Sequence, residues 1–378
     1  MDRIERRTHV NVETPSIAEE GWNDLDFSRV LNRSLHVFFK DALRITLTNP
    51  AQAYYFLRNV YWQRKAAKTR AEWKARGVQI PPIILFSVTN RCNLHCKGCY
   101  AQALHRSTEE EMSAEELRKV VADAGELGIS FFVLAGGEPL VRPEIVDIMM
   151  DHPRIVFLMF TNGLLINEEL LRKFRKSKNV VPVISIEGYE EETDGRRGQG
   201  VFSRLQRTIS LLKKHNIFYS VSITVTRSNF ESVTSEPFII DLVDLGCKFF
   251  LFVEFSPIKE GTEDWVISLE QREELMARIY YFRKKYRSLF VTVPGDEEEI
   301  GGCLSAGRGF VHIGADGALE PCPFAPFSDT NVREIPLREA LQSDFLRRIR
   351  LNADQLEETE GGCALWVKRE WVQTLLHS

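Results

Sequence analysis

Short apolar runs alternate with amphipathic segments along the middle of the chain. The apolar runs lie at residues 83–88, 131–135, 155–160, 180–186, 219–226 and 248–255. Helical patterns separate them at residues 114–127, 168–176, 202–215 and 235–245. Runs that are apolar throughout are typical of strands buried on both faces, and strands that alternate with helices form parallel sheets through right-handed crossovers. The pattern therefore predicts an α/β core with six parallel strands over residues 81–289.

The two ends of the chain follow other patterns. Residues 27–76 are helical in pattern, and Pro50 divides them because it disfavours a helical conformation at Asn49. We expect an N-terminal helical region over residues 1–80. From about residue 290 glycine and proline are frequent, and residues 314–317 predict a hairpin turn between two short strands. We therefore expect a small separate domain over residues 290–378, closed by a helix near residues 364–376.

Composition and charge restrict the class of protein. The chain has 378 residues, of which 44% are hydrophobic, and 49 basic side chains stand against 53 acidic ones. These values are ordinary for a globular protein and argue against a dedicated nucleic-acid binder, which would usually be basic. The sequence contains no run of 18 apolar residues, and its first residues are charged. We expect a cytoplasmic protein without a membrane-spanning helix.

Three of the seven cysteines lie in one loop directly after the first predicted strand. Cys92, Cys96 and Cys99 have the spacing C-x3-C-x2-C, with no fourth ligand nearby in the sequence. A structural zinc site usually needs four protein ligands. Three thiolates can hold three irons of a 4Fe–4S cluster and leave the fourth iron open to another ligand. A zinc loop, or thiols without a metal, is the alternative reading.

With this motif the sequence resembles the radical S-adenosylmethionine (radical SAM) superfamily. The resemblance implies that Cys92, Cys96 and Cys99 hold a 4Fe–4S cluster whose open iron binds S-adenosylmethionine. In this family the reduced cluster cleaves S-adenosylmethionine, and the resulting 5′-deoxyadenosyl radical abstracts a hydrogen atom from the substrate. The cofactors carry this chemistry, while the protein positions and shields them.

The resemblance also assigns roles to residues after the second strand. Gly136, Gly137, Glu138 and Pro139 match the family's GGEP element. Glu138 and the neighbouring backbone would hold the amino group of S-adenosylmethionine, and the glycines would let the backbone approach closely. An ordinary strand-to-helix turn is the alternative reading of these four residues.

Further cofactor-binding residues are implied at the ends of later strands. Asn162 ends the third strand, and Ser185 is a candidate contact to the ribose or carboxylate of the cofactor. The family often has Ser-x-Asp-Gly at the fourth strand, so Glu187 is a departure. Arg197 lies in an Arg-Gly-x-Gly-x-Phe element and would pair with the methionine carboxylate. Arg196 is the alternative, and one of these two adjacent arginines is expected to be solvated.

The sixth strand supplies one more candidate. Glu254 could contact substrate or adenosine, or serve the structure alone. All these elements lie at the carboxyl ends of predicted strands, where barrel-like parallel folds build their sites. The resemblance therefore implies a partial (β/α)6 TIM-like barrel, open on one side, with the N-terminal helical segment and the small C-terminal domain attached.

The C-terminal cysteines suggest a second metal site. Cys303, Gly317 and Cys322 have the arrangement C-x13-G-x4-C, which resembles the opening of SPASM and Twitch auxiliary-cluster domains. Cys363 would be a third ligand, so that one Twitch-like auxiliary 4Fe–4S cluster fits better than two. A zinc knuckle and unligated thiols are the alternatives. Cys247, just before a predicted strand, is interpreted as a buried structural thiol.

The expected function is therefore that of a radical SAM enzyme, with an electron donor such as flavodoxin or ferredoxin. A peptide or protein substrate is favoured, and a lipid, small molecule or cofactor precursor is the alternative. The GGEP and Arg197 elements argue against a nonenzymatic iron–sulfur electron carrier, which needs no cofactor cleft. A zinc-stabilised binding protein is a third alternative, which metal analysis after anaerobic purification would distinguish. The aromatic and basic N-terminal helices could bind a membrane surface or simply pack on the barrel.

Overall fold

A single nine-stranded sheet organises the chain. The computed structural model describes residues 38–47, 49–104, 106–108, 110–293, 303–356 and 363–377. The strands are β1 Ile83–Ser87, β2 Phe131–Ala135, β3 Val156–Thr161, β4 Val180–Ile186, β5 Ser220–Val225, β6 Phe249–Glu254, β7 Leu289–Val293, β8 Phe310–Ile313 and β9 Leu319–Glu320. All six predicted core strands are present, and each differs from its predicted bounds by at most two residues at either end.

The order of the strands follows the chain from β7 to β1 and then continues with β8 and β9. Every pair is parallel except β8 with β9, which form an antiparallel hairpin. The parallel α/β core predicted from the sequence is thus confirmed. The prediction missed that β7 extends the sheet beyond the sixth strand and that β8 pairs with β1.

Helices connect the parallel strands and also cover the chain ends. Their bounds are α1 Pro50–Ala75, α2 Tyr100–Ala103, α3 Ala114–Glu126, α4 Glu144–Met150, α5 Glu168–Lys176, α6 Glu190–Arg197, α7 Val201–Lys214, α8 Phe230–Val233, α9 Glu236–Asp244, α10 Leu269–Lys285, α11 Leu337–Ala340, α12 Asp344–Leu351, α13 Ala364–Val367 and α14 Arg369–His377. The predicted final helix is therefore two helices. Within the described ranges, no helix is long and apolar enough to cross a membrane.

Alternate residues of the strands point to two different cores. Phe132, Phe157 and Phe250 lie on the face that packs against the connecting helices, in the larger core. Phe131 and Phe249, one position earlier in their strands, belong to a second core on the inner face of the barrel. Because side chains alternate along a strand, β2, β3, β4, β6 and β7 contribute to both cores.

The N-terminal helices close one end of the barrel. Residues 38–45 are helical, and Phe39 packs with Tyr55 and Phe56 of α1 against the inner face of β2, β3, β4, β6 and β7 near their amino ends. The ring centroids of Phe39 and Phe131 lie 6.3 Å apart, with the rings steeply inclined. This is the packing role that the sequence left open beside membrane binding. Residues 1–37 of the predicted N-terminal region lie outside the described residues.

Local signals explain the start and the seating of α1. The Asn49 side chain accepts a hydrogen bond from the Gln52 amide, and Pro50 occupies the first turn, where its missing N–H costs nothing. Further along, Gln63 links α1 to the sheet because the Ser130 hydroxyl donates to its Oε1 at 2.6 Å. Gln63 in turn donates to Asn59 at 3.1 Å. These bonds satisfy polar groups that the packing of α1 buries.

The C-terminal region is joined to the barrel through its hairpin. β8 pairs with β1 from Ile83↔Phe310 to Phe86↔Ile313. The turn needs Gly317, whose φ is +87° and whose added Cβ would lie 2.5 Å from Asn331 Oδ1. The predicted domain division at residue 290 falls within β7, and the division itself stays a prediction.

Candidate active site

The cysteine loop leaves β1 at the carboxyl end of the sheet. Cys92, Cys96 and Cys99 are half-buried, and Cys99 directly precedes the short helix α2. The loop turns at Gly98, whose φ is +66°. A Cβ at this position would lie 2.8 Å from the ring of Trp265 and 3.1 Å from that of Phe255. Only glycine therefore fits here, because two aromatic side chains from the segment after β6 cover the loop.

The three thiols lie close enough to influence one another. Burial raises the pKa of Cys92, and Cys96 and Cys99 raise it further. Burial also raises the pKa of Cys96, whereas the guanidinium groups of Arg197 and Arg196 oppose this rise. Two cations beside the loop thus favour the thiolate form that metal binding requires.

The three thiols of the loop are a donor set that fits a 4Fe–4S cluster. Each thiolate binds a different iron of such a cluster, so three thiolates hold three irons and leave the fourth open.

Gly136 and Gly137 hold the end of β2 against the cysteine loop. The amide of Gly137 donates to Thr89 O at 2.8 Å, and the amide of Glu138 donates to Arg91 O at 2.9 Å. A Cβ on Gly136 would lie 2.3 Å from Thr89 O, and one on Gly137 would lie 2.1 Å from Arg91 O. The end of β2 therefore approaches the backbone of the cysteine loop so closely that only glycine fits at positions 136 and 137.

Glu138 is a buried carboxylate held by three donors. Its Oε1 accepts from the Leu140 amide at 3.0 Å and from the Thr161 hydroxyl at 2.7 Å. Its Oε2 accepts from the Asn162 amide at 2.7 Å. Burial raises the pKa of the carboxyl, and these hydrogen bonds oppose the rise. Each carboxylate oxygen can accept two hydrogen bonds, so Oε2 retains capacity for a further donor.

Asn162 and Ser185 lie on the inner side of the same end of the sheet. The Asn162 amide group donates to Asn93 Oδ1 at 2.7 Å and so ties β3 to the cysteine loop. Ser185 is half-buried and follows Val181 and Val183, which point to the inner core. By strand alternation Ser185 shares their face, as a cofactor contact requires.

Arg197 binds a protein carboxylate that the sequence analysis did not assign. Its Nε donates to Glu187 Oε1 at 2.8 Å, and its second terminal nitrogen also contacts this oxygen. Arg196 forms an ion pair with the same oxygen at 2.6 Å. The expectation that one of the two arginines is solvated is wrong, because only 15% of the Arg196 side chain and 11% of the Arg197 side chain are exposed.

Glu187 is therefore a functional candidate that the sequence signalled only by its departure from Ser-x-Asp-Gly. Its side chain is 1% exposed. Its Oε2 is buried and has no hydrogen-bond partner among the described residues. The carboxylate and the Cys96 thiol raise the pKa of Arg197, against the effect of burial. Glu187 thus holds both arginines beside Cys96.

Glu254 is not brought together with the other predicted residues. It follows Phe250 and Phe252, which face the connecting helices. Its Oε2 accepts from Arg272 of α10 at 2.6 Å and 3.0 Å. Of the two roles that the sequence left open for Glu254, this geometry matches the structural one.

The three C-terminal cysteines meet although their segments are far apart in the sequence. Cys322 follows β9 and forms a hydrogen bond with Cys363, the residue before α13. Cys303 acts on Cys322 electrostatically, and its Sγ lies 3.2 Å from the Ser305 hydroxyl. Burial and both neighbouring thiols raise the pKa of Cys322. The arrangement fits a second cluster with three cysteine ligands.

Cys247 stands apart from both groups of cysteines. It is fully buried, and its thiol donates to Phe249 O at 3.3 Å. Burial raises its pKa to about 12, so that it stays a neutral thiol at ordinary pH. This environment agrees with the interpretation of Cys247 as a packed structural residue.

Comparisons with known proteins bear on the family of this chain. A family model described as the Radical SAM superfamily matches residues 86–233. The AdoMet-dependent heme synthase of Methanosarcina barkeri is 26% identical over 315 residues, which cover 75% of this chain and 88% of that protein. The AdoMet-dependent heme synthase of Nitratidesulfovibrio vulgaris is 27% identical over 311 residues, covering 74% and 83%.

A solved structure supports the fold. The crystal structure of Streptococcus suis SuiB bound to its precursor peptide SuiA aligns with a TM-score of 0.60, over 83% of this chain and 75% of that one. At 18% sequence identity this likeness concerns the fold alone. It confirms the partial TIM-like barrel that the sequence predicted.

Proposed function

Since residues 86–233 place this chain in the radical SAM superfamily, we propose that Cys92, Cys96 and Cys99 hold its 4Fe–4S cluster at the carboxyl end of the barrel. The chain is a radical SAM enzyme, and its cofactors are a 4Fe–4S cluster and S-adenosylmethionine. The observation that carries the residue assignment is the attachment of Gly137 and Glu138 to the cysteine loop at 2.8 and 2.9 Å. It joins the cysteines and the cofactor-binding strand end in one rigid unit.

When bound, the reduced cluster supplies the electron that cleaves S-adenosylmethionine and starts radical chemistry on the substrate. Glu138 and Arg197 would orient the amino and carboxylate groups of S-adenosylmethionine. Glu138 Oε2 has one protein donor and accepts one more. Arg197 contacts Glu187 through Nε and one terminal nitrogen. A guanidinium group has five N–H donors, so Arg197 retains donors for the carboxylate of S-adenosylmethionine.

We assign the auxiliary cluster to Cys303, Cys322 and Cys363. The support is that three distant segments bring these thiols within reach of one another. With three cysteine ligands, one iron would be open to a further side chain, solvent or substrate. An auxiliary cluster could accept the electron that a substrate radical loses when it is oxidised to product.

For the substrate we infer a small-molecule cofactor precursor, of the kind that becomes heme. The support is the match to two heme synthases over about three quarters of this chain. The test is anaerobic incubation of the reconstituted enzyme with S-adenosylmethionine, reductant and iron porphyrins that bear carboxylate side chains. Mass spectrometry should find oxidised porphyrin together with 5′-deoxyadenosine in equal amounts. Unchanged porphyrins, with 5′-deoxyadenosine formed, would reject this substrate class and retain the enzyme class.

A peptide or protein substrate is the second candidate. It was favoured from the sequence, and the fold neighbour SuiB binds a precursor peptide. The same assay with peptides encoded beside the gene distinguishes the two candidates. A peptide substrate predicts that the mass of the peptide changes while the mass of the porphyrin stays the same.

We retain flavodoxin or ferredoxin as the type of electron donor. The exposed His95 and Lys97 beside Cys96 would offer such an acidic protein a basic contact.

We further propose that the outer face of α1 binds anionic membrane surfaces peripherally. Tyr54, Leu57 and Tyr61 recur at helical spacing and are 61%, 57% and 67% exposed. Exposed cations flank them on this face, namely Arg58, Arg64, Lys65 and Lys68. Basic helices with exposed aromatic residues lie in membrane interfaces. The inner face of α1 still packs on the barrel, so both roles considered from the sequence are compatible.

A further inference from the structure

A chain of four polar side chains, of which three are buried and the fourth, Arg106, is half-buried, connects β1 with the C-terminal hairpin. Ser87 Oγ lies 2.8 Å from His312 Nε2, and His312 Nδ1 lies 2.6 Å from Glu320 Oε2. Both terminal nitrogens of Arg106 donate to the Glu320 carboxylate at 2.7 Å. Ser87, His312 and Glu320 are 4%, 1% and 3% exposed. None of these four residues is among those for which the sequence predicted a role.

The hydrogen-bond roles in this chain are set by its chemistry. The ionised Glu320 can only accept, so the imidazole proton of His312 lies on Nδ1. His312 Nε2 then accepts from the Ser87 hydroxyl. Arg106 donates to both oxygens of the carboxylate as a bidentate pair, the geometry that arginine suits best. The buried polar groups are thereby matched, which is the condition under which such a chain makes a structure rigid.

The chain lies where the two groups of cysteines approach each other. Arg106 belongs to the segment that follows Cys99, and Glu320 precedes Cys322 by two residues. Beside this ion pair, the ring of Tyr100 packs edge-on against Phe324 with centroids 5.1 Å apart. Tyr100 directly follows Cys99, and Phe324 follows Cys322 by two residues. An ion pair and an aromatic contact thus bridge the same two segments.

A second backbone link strengthens this junction. The amide of Met112, at the end of the cysteine-loop segment, donates to Ala315 O in the hairpin turn at 2.7 Å. Pairing of β1 with β8 adds a third connection. Glu320 lies two residues from Cys322, whereas Arg106 lies seven residues from Cys99, so loss of the ion pair should affect the C-terminal thiols more than the first three.

We propose that Arg106, Glu320 and His312 are positioning residues that lock the auxiliary cysteine hairpin to the cysteine loop and so fix the separation of the two clusters at the Tyr100–Phe324 contact. This inference rests on the proposed assignment of the auxiliary cluster to Cys303, Cys322 and Cys363. The proposed positioning role explains why these side chains are polar, because hydrophobic side chains could fill the same space if only packing were needed.

The test compares Arg106→Gln with the unchanged protein after anaerobic reconstitution. We expect both clusters to assemble in the variant, but the magnetic interaction between the two reduced clusters, measured by electron paramagnetic resonance, to become weaker or heterogeneous. Side chains that orient metal ligands change metal affinity by about 10-fold or more when removed. In a background lacking Cys92, Cys96 and Cys99, we therefore expect Arg106→Gln to speed iron loss to a chelator by about tenfold.

The matched control is Arg333→Gln. Arg333 forms an ion pair with Glu116 at 2.9 Å that also joins the C-terminal region to the barrel, but 37% of its side chain is exposed. Wild-type coupling and iron loss in Arg333→Gln support the specific role of Arg106. Equal effects in the two variants, or no effect in either, overturn it.

Two further outcomes distinguish failure of this inference from failure of the proposed auxiliary-cluster assignment. If the unchanged protein binds only one cluster, the auxiliary site is wrong and the inference fails with it. If Arg106→Gln does not fold, Arg106→Lys carries the test, because lysine keeps the charge but cannot reproduce the bidentate pair. Tyr100→Leu removes the aromatic contact with Phe324. If Arg106→Lys and Tyr100→Leu both fold and both keep the wild-type magnetic interaction between the clusters, the inference is overturned.

Discussion

Glu187 Oε1 receives the Nε–H of Arg197 at 2.8 Å and lies 2.6 Å from a terminal nitrogen of Arg196. One buried carboxylate oxygen thus anchors two adjacent arginines beside Cys96. The family's usual aspartate at this position is one methylene shorter, and here the longer side chain reaches both guanidinium groups. The proposed carboxylate-binding role of Arg197 therefore depends on Glu187.

We expect Glu187→Gln to weaken the binding of S-adenosylmethionine while the cluster still assembles. The neutral amide removes the charge that orients Arg197, and hydrogen bonds to charged groups contribute about 1.5–3 kcal/mol. The dissociation constant measured by calorimetry should rise by one to two decades. Glu254→Gln, which alters a carboxylate paired with Arg272 on the outer face, is the matched control and should bind normally. Equal losses in both variants would contradict the placement of the cofactor.

Glu138→Ala should lower both cofactor affinity and stability. The substitution deprives the buried amides of Leu140 and Asn162 and the Thr161 hydroxyl of their acceptor. Each unsatisfied buried donor costs about 1–3 kcal/mol, so the midpoint of thermal unfolding should fall. Arg197→Ala should reduce S-adenosylmethionine binding with a smaller loss of stability. Unchanged binding in both variants would show that the cofactor lies elsewhere.

Replacing Cys92, Cys96 or Cys99 by Ala should abolish reductive cleavage of S-adenosylmethionine. Two thiolates cannot hold a cubane with a single open iron. The measurement is 5′-deoxyadenosine formed by anaerobically reconstituted, reduced protein, and Cys247→Ala is the control because its thiol is buried away from the loop. Full activity in the triple variant would refute the proposed ligand set.

The unchanged protein should hold about eight irons if both clusters are cubanes. A variant lacking Cys92, Cys96 and Cys99 should retain about four, and one lacking Cys303, Cys322 and Cys363 should retain the other four. Cys247→Ala should leave the iron content unchanged. A triple variant of the first cysteines without iron or a cluster spectrum would reject the auxiliary site.

Membrane binding is tested by sedimentation with vesicles of phosphatidylserine and phosphatidylcholine. We expect the unchanged protein to bind, and the combined change of Tyr54, Leu57 and Tyr61 to Ser to reduce binding, since it removes the exposed apolar groups of α1. Tyr280→Ser on α10, where Lys284 lies 4.0 Å from the ring centroid, is the control for a generic aromatic and basic surface. Binding that is equal in all three proteins would exclude this face.

The fold was largely predictable because the strands carry continuous apolar runs between helical patterns. Such signals are local, so β1 to β6 emerged with nearly correct bounds. The pairing of β8 with β1 was not predictable, since it joins residues more than 200 positions apart. Packing of the N-terminal helices on the barrel was one of the two predicted roles, but the surface that Phe39 and Phe56 cover was not predictable, because aromatic residues on a helix do not reveal which surface they cover.

The parts of the candidate site that the sequence predicted are those whose functional residues lie close together in the chain. The cysteine spacing and the Gly136–Pro139 element are of this kind. The environment of Arg196 was not, because its burial depends on Glu187 from another element. The Arg106–Glu320 pair escaped the sequence analysis since neither residue type is informative alone, and only the fold brings them together.

The aromatic side chains at the amino end of the barrel limit the routes by which a substrate can reach the site. They belong to Phe38, Phe39, Tyr55 and Phe56. These rings cover the inner face of the sheet at its amino end, and the cysteine loop leaves β1 at the opposite, carboxyl end. The edge strands β7 and β9 do not pair with each other, so the barrel is open along one side. A substrate therefore has to reach the cysteine loop from the carboxyl end or from this open side, and not through the amino end that the rings close.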